Sequence, residues 1–595
     1  MPPRRPGLFG GPASAPWSRY ATPPSPPSTP PPTPPPVPPV PPVPPIPPVP
    51  PPDPIPASLA IEATGIEPVA IFFSAVDALT IAGSVPVLPV VGADYSTWDC
   101  AWDFGDPASG TWSSNGRSKN RSIGYTACHV YETPGTYLVA LTVIAPDGTE
   151  SLYTQEIVVS AFSGTTYYVA AGGDDSANGL TPATAWATVA KVIANQGTDR
   201  KFLFNRGDTF QTPGGHSLTA AGRVIFGAYG LGDKPVIEST GDADAVFTFV
   251  DDDYVFMDID LMGPGTGGNM NGFHFNVFNS VSKILWLRIE IHDFKNGIVW
   301  DSLSATPQQL NAIVDCEIFN CNTNGMFVGG RYLSVLGCHV HDMVTSHLVR
   351  VWQGNRCVIG DNLLERPGSN RHCIKLHGPA DGSGNLPTEF VAIQGNMLIG
   401  VEWTVILGPQ NIGVDELVSQ VICEANFCTP TSGVQSDFRV ECPLVTIRNN
   451  VAVATGAHSS YQFVSLGTAG ASAPAVGVGV FNNTVYRADA GGEFFVVRIQ
   501  EGVGISDVDV RNNLASGPLA VTKAVVSGTC PNLTNSDNLL TDTPGFVDAA
   551  GGDFNLQPSS PAVGAGEVLA QVRHDYEGAE RQLEVATDLG AYKAA

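Results

Sequence analysis

A short strand-like unit that recurs through the second half of the chain limits the folds open to it. Successive units place a polar or charged residue in one column, at intervals from 22 residues (Glu317 to His339) to 34 residues (Asn362 to Asn396). Such intervals suit one coil of a solenoid with loops of variable length, because each coil buries its apolar face only against its neighbours. We therefore expect a parallel β-helix. The column comprises Glu290, Glu317, His339, Asn362, Asn396, Asn426, Asn450, Asn483 and Asn513.

The later members of this column are all asparagine, for two physical reasons. Asparagine tolerates the left-handed backbone of a tight bend, and stacked side-chain amides can hydrogen-bond from coil to coil. Cys316 and Cys338 occupy equivalent positions in successive units. We expect these two cysteines to stack, and a crosslink between them is an open alternative.

The first 56 residues form a proline-rich segment that cannot build a core. From Pro23 to Pro54 the sequence is almost entirely proline with apolar interruptions. It should adopt an extended polyproline II conformation of roughly 100 Å, at about 3.1 Å per residue. We interpret it as a semi-rigid stalk or anchor, and a docking stripe for a partner or for sister chains is the alternative.

Residues 57–162 contain strand-like runs separated by turn clusters, which indicates a small β-sandwich. The runs are Val69 to Phe73, Tyr137 to Val143 and Gln155 to Val159. The motifs WDFGD (102–106), HVY (129–131) and PGTY (134–137) resemble the PKD domain, an immunoglobulin-like module, across most of its length. The resemblance implies a spacer or an adhesion unit without chemistry of its own. We therefore expect residues 1–162 to be dispensable for ligand binding.

Residues 163–595 resemble the pectate-lyase-like superfamily at both ends. The segment YYV (167–169), the turn-rich GGDDSANGLTPATA and the amphipathic stretch 186–194 resemble its entry, where a short helix caps the first coil. The segments GDFNLQPSSPAVGAG, HDYEGAERQ and DLGAY resemble its closing region. The expected chain is all-β, with a right-handed single-stranded parallel β-helix behind the immunoglobulin-like module and the proline-rich stalk.

Composition restricts the partners and the location. The net charge of −26 argues against a nucleic-acid partner, which needs a basic stripe, and means that a site for a polyanionic glycan must be locally basic. No apolar run approaches the length of about 20 residues that spans a bilayer. The first residues show no recognisable signal peptide. We expect an extracellular, cell-surface or virion protein, with a homotrimer or attachment through the N-terminal segment as possible assemblies.

Metal and disulfide signals are weak. The eleven cysteines include no C-x-x-C pair, which argues against a zinc site, and no metal ligand is assigned. Cys100 and Cys128 form either a disulfide or two buried thiols. Ca²⁺ is the one cofactor considered, at the run Asp251–Asp253, although such a run at a turn is more often solvated.

Two successive strands break the structural pattern of the repeat. SHLVRVWQG and RHCIKLHG align with a shift of 25 residues, Arg350 to Lys375, which also pairs His347 with His372 and Trp352 with His377. Val349, Val351, Ile374 and Leu376 have the alternation of inward-facing residues, so Arg350, Trp352, Lys375 and His377 should project outward together. Such a patch suits a uronate or another anionic sugar, with the indole stacked on a pyranose ring. Asp342 or Glu365 neutralising the two cations is the alternative.

If the patch is catalytic, two mechanisms compete. In β-elimination Lys375 would be the base and Arg350 the acid or the charge stabiliser, with His347 and His372 as further catalytic candidates. The stretch LVRVWQGNRCVIGDN resembles the arginine-bearing rung of chondroitinase-B-like and alginate lyases, but the basic lysine of that family lies one rung earlier, where this chain has GMFV (325–328). Trp352, His377, Glu365 and Glu402 are the candidate substrate-binding residues.

Hydrolysis would instead need two carboxylates that flank the scissile bond. Glu290, Glu317, Asp342, Glu365 and Glu402 lie on neighbouring rungs, and the sequence selects no pair. The function expected from the sequence is recognition of a polysaccharide, through a lyase or a glycoside hydrolase. The alternative is a non-enzymatic adhesin or a phage-like tailspike or fibre protein.

Overall fold

The computed structural model describes residues 55–56, 58–76, 98–145, 147–275, 280–300, 308–400, 403–408, 417–431, 433, 435–455, 458–467, 474–500, 504–581 and 586–594. Residues 1–54 of the proline-rich stalk and Glu402 lie outside these residues, and the last two stalk residues, Ile55–Pro56, form a strand of the module. None of the described helices is long and apolar enough to cross a membrane.

The N-terminal module is a small β-sandwich of mostly antiparallel strands. The sequence-predicted runs are all strands, and Trp102 anchors the core by donating from Nε1 to the Gly124 carbonyl oxygen over 2.8 Å. Its strands are Ile55–Pro56, Thr64–Ile66, Val69–Ser74, Asp99–Asp103, Arg121–Ile123, Thr126–Tyr131, Gly135–Ile144 and Glu150–Ser160.

The rest of the chain winds into a parallel β-helix with three faces per coil, which confirms the fold class expected from the repeat. One face packs against the module, and we call it the module face. Its strands are Thr165–Val169, Arg200–Asn205, Val224–Tyr229, Tyr254–Met257, Leu285–Leu287, Gln309–Val314, Thr388–Gln394, Val418–Glu424, Val445–Arg448, Val476–Phe481, Ser506–Arg511 and Thr534–Ser536.

The second face consists of strands of two to four residues, and we call it the short-strand face. These are Thr209–Thr212, Val236–Ser239, Asp260–Met262, Glu290–His292, Glu317–Phe319, His339–His341, Leu363–Glu365, Met397–Ile399, Phe427–Cys428, Val451–Ala454, Thr484–Arg487, Leu514–Ser516 and Leu539–Leu540.

We call the third face the outer face. Two long strands, Met326–Leu336 and Val349–Gly360, begin on it and continue onto the module face. Its other strands are His216–Leu218, Ala245–Phe249, Asn271–Phe275, Asn296–Val299, Ile374–His377, Trp403–Leu407, Ser436–Val440, Ser460–Leu466, Glu493–Ile499 and Thr522–Ser527.

Short elements occupy the ends of the coil. A 3-10 helix, Pro182–Thr184, precedes the helix Val189–Ala194, which lies within the amphipathic stretch predicted to cap the entry. Val189 and Val192 of this helix join the core of the coil beside Trp186. The hairpin Phe546–Asp548 and Asp553–Leu556 belongs to the C-terminal segment.

The predicted column of the repeat is wrong by one residue in its first three members. Glu290, Glu317 and His339 are in register with Leu363, not with Asn362. The asparagines continue the column of Cys316 and Cys338, and they point into the coil. Because side chains alternate across a strand, a slip of one residue moves a side chain from the core to solvent.

The asparagines form a ladder inside the coil. The backbone N–H and the Nδ2 of Asn450 both donate to Oδ1 of Asn483, over 2.9 Å each. The same pair of bonds continues from Asn513 to Asn538, a rung that the sequence analysis missed. The left-handed backbone belongs instead to the preceding residue of each rung, such as Asn449 at φ 53°. In each rung the asparagine therefore supplies the hydrogen bonds, and the residue before it supplies the left-handed backbone.

The cysteines are thiols. Cys100 and Cys128 are buried without a disulfide, and Cys316 and Cys338 stack inside the coil as predicted but are not crosslinked. Burial raises the pKa of Cys128 to about 12.

The module is not a spacer held away from the β-helix. Its residues Phe72 and Tyr125 share one hydrophobic cluster with Ile225, Val255 and Ala392 of the module face. The Tyr125 hydroxyl also donates to the carbonyl oxygen of Val391 over 3.1 Å. The module therefore covers apolar side chains that the β-helix alone would expose.

Candidate functional site

The two unusual strands lie in register on the outer face. Arg350 is the neighbour of Lys375, and Trp352 is the neighbour of His377, as the shift of 25 residues predicts. The alternating Val349, Val351, Ile374 and Leu376 are fully buried in the coil. Arg350, Lys375 and Trp352 are half-buried on the outside, and Arg350 and Lys375 come from adjacent rungs, which lie about 4.8 Å apart along the coil. The prediction that His377 projects outward with them is wrong, because the residue is only 2% exposed and its ring accepts from Arg350.

Arg350 is fixed from two sides. Its guanidinium lies over the ring of Phe327, on the preceding rung, at 4.4 Å from the ring centroid. Its Nε donates to Nε2 of His377 over 3.1 Å. A cation–π contact and a hydrogen bond thus hold the planar fork in one orientation.

Three imidazoles line the cations and stay neutral. Burial, followed by the charges of Arg350 and Lys375, lowers the pKa of His377 to about 2. Burial and the neighbouring His372 lower the pKa of His347 to about 2. Burial and then Lys375 lower the pKa of His372 to about 3. The three imidazoles therefore add no positive charge to the patch at neutral pH.

Two of these histidines stack along the coil. The rings of His347 and His372 lie 4.8 Å apart, and the His372 backbone N–H donates to Nδ1 of His347 over 3.3 Å. Nδ1 of His372 donates to the Trp403 carbonyl oxygen over 3.0 Å. In the neutral rings, His347 therefore carries its proton on Nε2 and His372 carries its proton on Nδ1. The acceptor nitrogen of His372 is Nε2.

The patch extends beyond the residues that the sequence singled out. Trp403 lies one rung past His372, and the Arg439 guanidinium lies 4.7 Å from the centroid of its ring. Arg439 follows Lys375 in the same outward column, two rungs along, and its Nε donates to Glu441 over 2.7 Å. The signal that could have found them is the alignment of WTVIL and SDFRV with the two preceding rungs.

Glu365 does not belong to the patch. It lies on the short-strand face, where Nε2 of His339 donates to its Oε1 over 3.0 Å. Asp342 also has its partners there, since Arg366 donates from Nε to its Oδ1 and from Nη2 to its Oδ2. Glu365 and Asp342 therefore do not neutralise Arg350 and Lys375. Glu290 pairs with Lys234 over 2.9 Å, also away from the patch.

The structure brings metal-ligating side chains together in one place within the part of the chain that it describes. Glu317, His339 and His341 converge on the short-strand face. The Asp251–Asp253 run is engaged elsewhere: Asp252 accepts from the Ser282 backbone N–H, and Asp253 pairs with Arg223 over 2.6 Å. Ca²⁺ binding by this run stays a prediction.

A cavity of about 340 Å³ lies between the module, the module face and the C-terminal segment, away from the patch. Arg448 is buried and donates over 2.6 Å to Glu424, which lines the cavity. Burial raises the pKa of Asp361, which also lines the cavity, to about 6. The cavity is part of the junction that holds the module in place.

Comparison with known proteins identifies the module. The PKD domain family matches residues 80–158, within the region where the sequence motifs indicated it. No curated protein matches the sequence of the chain.

Several solved structures are similar to the chain. Pectate lyase Pel9A is 16% identical, covers 72% of this chain and 96% of its own, and has a TM-score of 0.35. The A-module of mannuronan C-5 epimerase AlgE4 from Azotobacter vinelandii is 14% identical, with 57% and 91% covered and a TM-score of 0.37. The Dettilon tailspike protein is 11% identical, with 61% and 68% covered and a TM-score of 0.39.

Proposed function

We propose that this protein binds an anionic polysaccharide, of the uronate type, along the outer face of its β-helix. The observation that carries the proposal is the register of Arg350 with Lys375 on adjacent rungs, in a chain whose net charge is −26. Two neighbouring cations repel each other, and an anion that contacts both lowers that repulsion. A carboxylated ligand would stabilise both.

The surroundings of the two cations suit a sugar chain. Trp352 and Trp403 lie half-buried on either side of the pair, and indole rings stack on the apolar faces of pyranoses. From Arg350 to Arg439 the outward column spans three rung steps, or about 14 Å. That length suits an oligosaccharide better than a single sugar.

Cleavage by β-elimination is the second candidate function. The low pKa of the histidines argues against a histidine as the catalytic base. A base would remove the proton α to the uronate carboxylate, the C4–O bond would break as its oxygen takes up a proton from solvent, and a C4=C5 double bond would form. Imidazoles with a pKa of about 2 to 3 are weak bases, so we propose Lys375 as the base. Arg350 would stabilise the carboxylate charge, and His347 and His372 would act as positioning residues.

The test measures binding and turnover on the same preparations of the full chain. Calorimetric titration would use oligogalacturonate, oligoalginate, and a neutral cello-oligosaccharide for comparison. Arg350→Ala or Lys375→Ala should weaken binding of the anionic ligand ten- to a hundredfold, because a charge-assisted hydrogen bond contributes about 1.5 to 3 kcal/mol. Arg121→Ala, which removes an exposed arginine of the module, is the matched control and should leave binding unchanged.

Ultraviolet absorbance of unsaturated uronates and assay of new reducing ends would separate lyase from hydrolase activity. A lyase should lose turnover in Lys375→Ala while it keeps much of its binding. Anionic ligands that bind the double variant Arg350→Ala/Lys375→Ala as tightly as the parent would refute the proposed site.

A further inference from the structure

We propose that Glu317, His339 and His341 form a binding site for one divalent transition-metal ion of the Zn²⁺ class. The three side chains belong to two adjacent rungs of the short-strand face, where Glu317 is in register with His339. This site is separate from the outer face and independent of the glycan proposal.

The donor atoms have the spacing of a metal site. Oε1 of Glu317 lies 3.1 Å from Nε2 of His341 and 3.5 Å from Nδ1 of His339. Ligand atoms of a tetrahedral zinc site, with metal–ligand distances of about 2.0 to 2.1 Å, lie about 3.3 Å apart. The two observed distances bracket that value.

The outer nitrogens of both imidazoles are engaged by further carboxylates. Nδ1 of His341 lies 2.7 Å from Oδ2 of Asp342 and 3.2 Å from Nη2 of Arg366, and Nε2 of His339 lies 3.0 Å from Oε1 of Glu365. A carboxylate that accepts from the remote N–H of a metal-ligating histidine orients its ring and raises its basicity. Arg366 contacts both carboxylates and holds them in place.

Three donor atoms converge at this point: Oε1 of Glu317, Nδ1 of His339 and Nε2 of His341, each of which can offer a lone pair to a cation. The rings of His339 and His341 stack with their centroids 4.0 Å apart, so the two imidazoles lie next to each other beside Glu317.

The chemistry of the donors selects the ion. Two imidazoles and one carboxylate suit Zn²⁺ and neighbouring first-row ions, whereas Ca²⁺ takes six to eight oxygen ligands. The side chains of Glu317, His339 and His341 are 42%, 33% and 11% exposed, so an ion can enter from solvent and keep water in its remaining position.

The structure supplies an internal control one coil away. His292 also lies between two carboxylates, with Nδ1 2.6 Å from Asp293 and Nε2 3.1 Å from Asp260. On the next coil the residue in register with His292 is Phe319, which is not a metal ligand. His292 therefore has no second imidazole in register beside it. His292 has the ion pairs of the proposed site without its converging ligands.

The experiment uses the full chain with Cys530→Ser, which removes the one cysteine that is not buried, after treatment with a chelator. Calorimetric titration with ZnCl₂ should show one ion per chain and a rise in melting temperature, and CaCl₂ should not compete. Bound Co²⁺ should give visible absorption from a low-symmetry site. His339→Ala/His341→Ala should abolish both signals, and Asp342→Asn should weaken Zn²⁺ binding about ten- to a hundredfold.

His292→Ala should leave Zn²⁺ binding unchanged, which separates the site from a general effect of histidine near carboxylates. The proposal is overturned if the parent binds no Zn²⁺, or if the double variant, shown to be folded by circular dichroism, binds Zn²⁺ as the parent does. Loss of binding in His292→Ala alone would equally contradict the assigned ligands.

Discussion

Arg350 donates from Nε to Nε2 of His377, 3.1 Å away on the next coil. The bond requires His377 to accept, so its proton is at Nδ1 and the ring is neutral. Burial, and after it the charges of Arg350 and Lys375, oppose a positive charge on this ring and lower its pKa.

The stability of the chain should fall as the pH falls below about 6.5, in part because of His377. Its folded pKa is lowered to about 2, so between pH 6.5 and 2 the unfolded state binds a proton that the native state does not. Each pH unit in this window should cost up to about 1.4 kcal/mol. His377→Gln, whose amide oxygen can accept from Arg350, should lose less stability between pH 7 and 4.5 in guanidinium melts. Equal losses in the two proteins would contradict the assignment.

The asparagine ladder should be a major source of stability. Asn450 donates from Nδ2 to the carbonyl oxygens of Cys423 and Arg448 and accepts twice from Asn426. Asn450→Ala should leave several buried groups unsatisfied and cost at least about 2 kcal/mol in urea unfolding.

Asn538→Ala is the matched control, because this last rung is partly exposed and water can replace its bonds. A loss in Asn538→Ala as large as that in Asn450→Ala would show that the ladder is not the cause.

Thiol labelling should distinguish one cysteine from the other ten. Cys530 is partly exposed, while the other ten of the eleven cysteines are buried thiols. A thiol reagent should therefore modify one cysteine in the native protein and eleven after unfolding without a reductant. A crosslink between Cys316 and Cys338, or between Cys100 and Cys128, would lower the second count by two.

Removal of residues 1–162 should destabilise the β-helix. Ile225, Val255 and Ala392 would lose their apolar cover, and Arg448 would lose its contact with Asp99. Residues 163–595 alone should aggregate or melt well below the full chain. A truncated protein that remains monomeric with the same melting temperature would contradict this prediction.

A milder version keeps the whole chain. Tyr125→Ala removes a buried ring and its hydroxyl bond to Val391 at the same junction, and should lower stability by about 3 to 5 kcal/mol. Glycan affinity should hardly change, because the patch lies on a different face.

The sequence alone determined the fold and the register of the patch. Both follow from local periodicity, since one coil repeats a strand pattern and a shift of 25 residues brings Arg350 beside Lys375. The sequence did not show which residues of the first coils share a column with the later asparagines. Glu317 and Asn362 both sit near the start of a short strand, and only the backbone register showed that one points outward and the other inward.

The tertiary structure decided everything that depends on residues far apart in the chain. Glu365 and Arg350 are close in sequence, yet the coil turns a corner between their strands and places them on different faces. The module and the β-helix join through side chains such as Tyr125 and Val391, which no local pattern connects. Glu317, His339 and His341 meet because winding stacks one coil on the next, and spacing along the sequence does not show which atoms then converge.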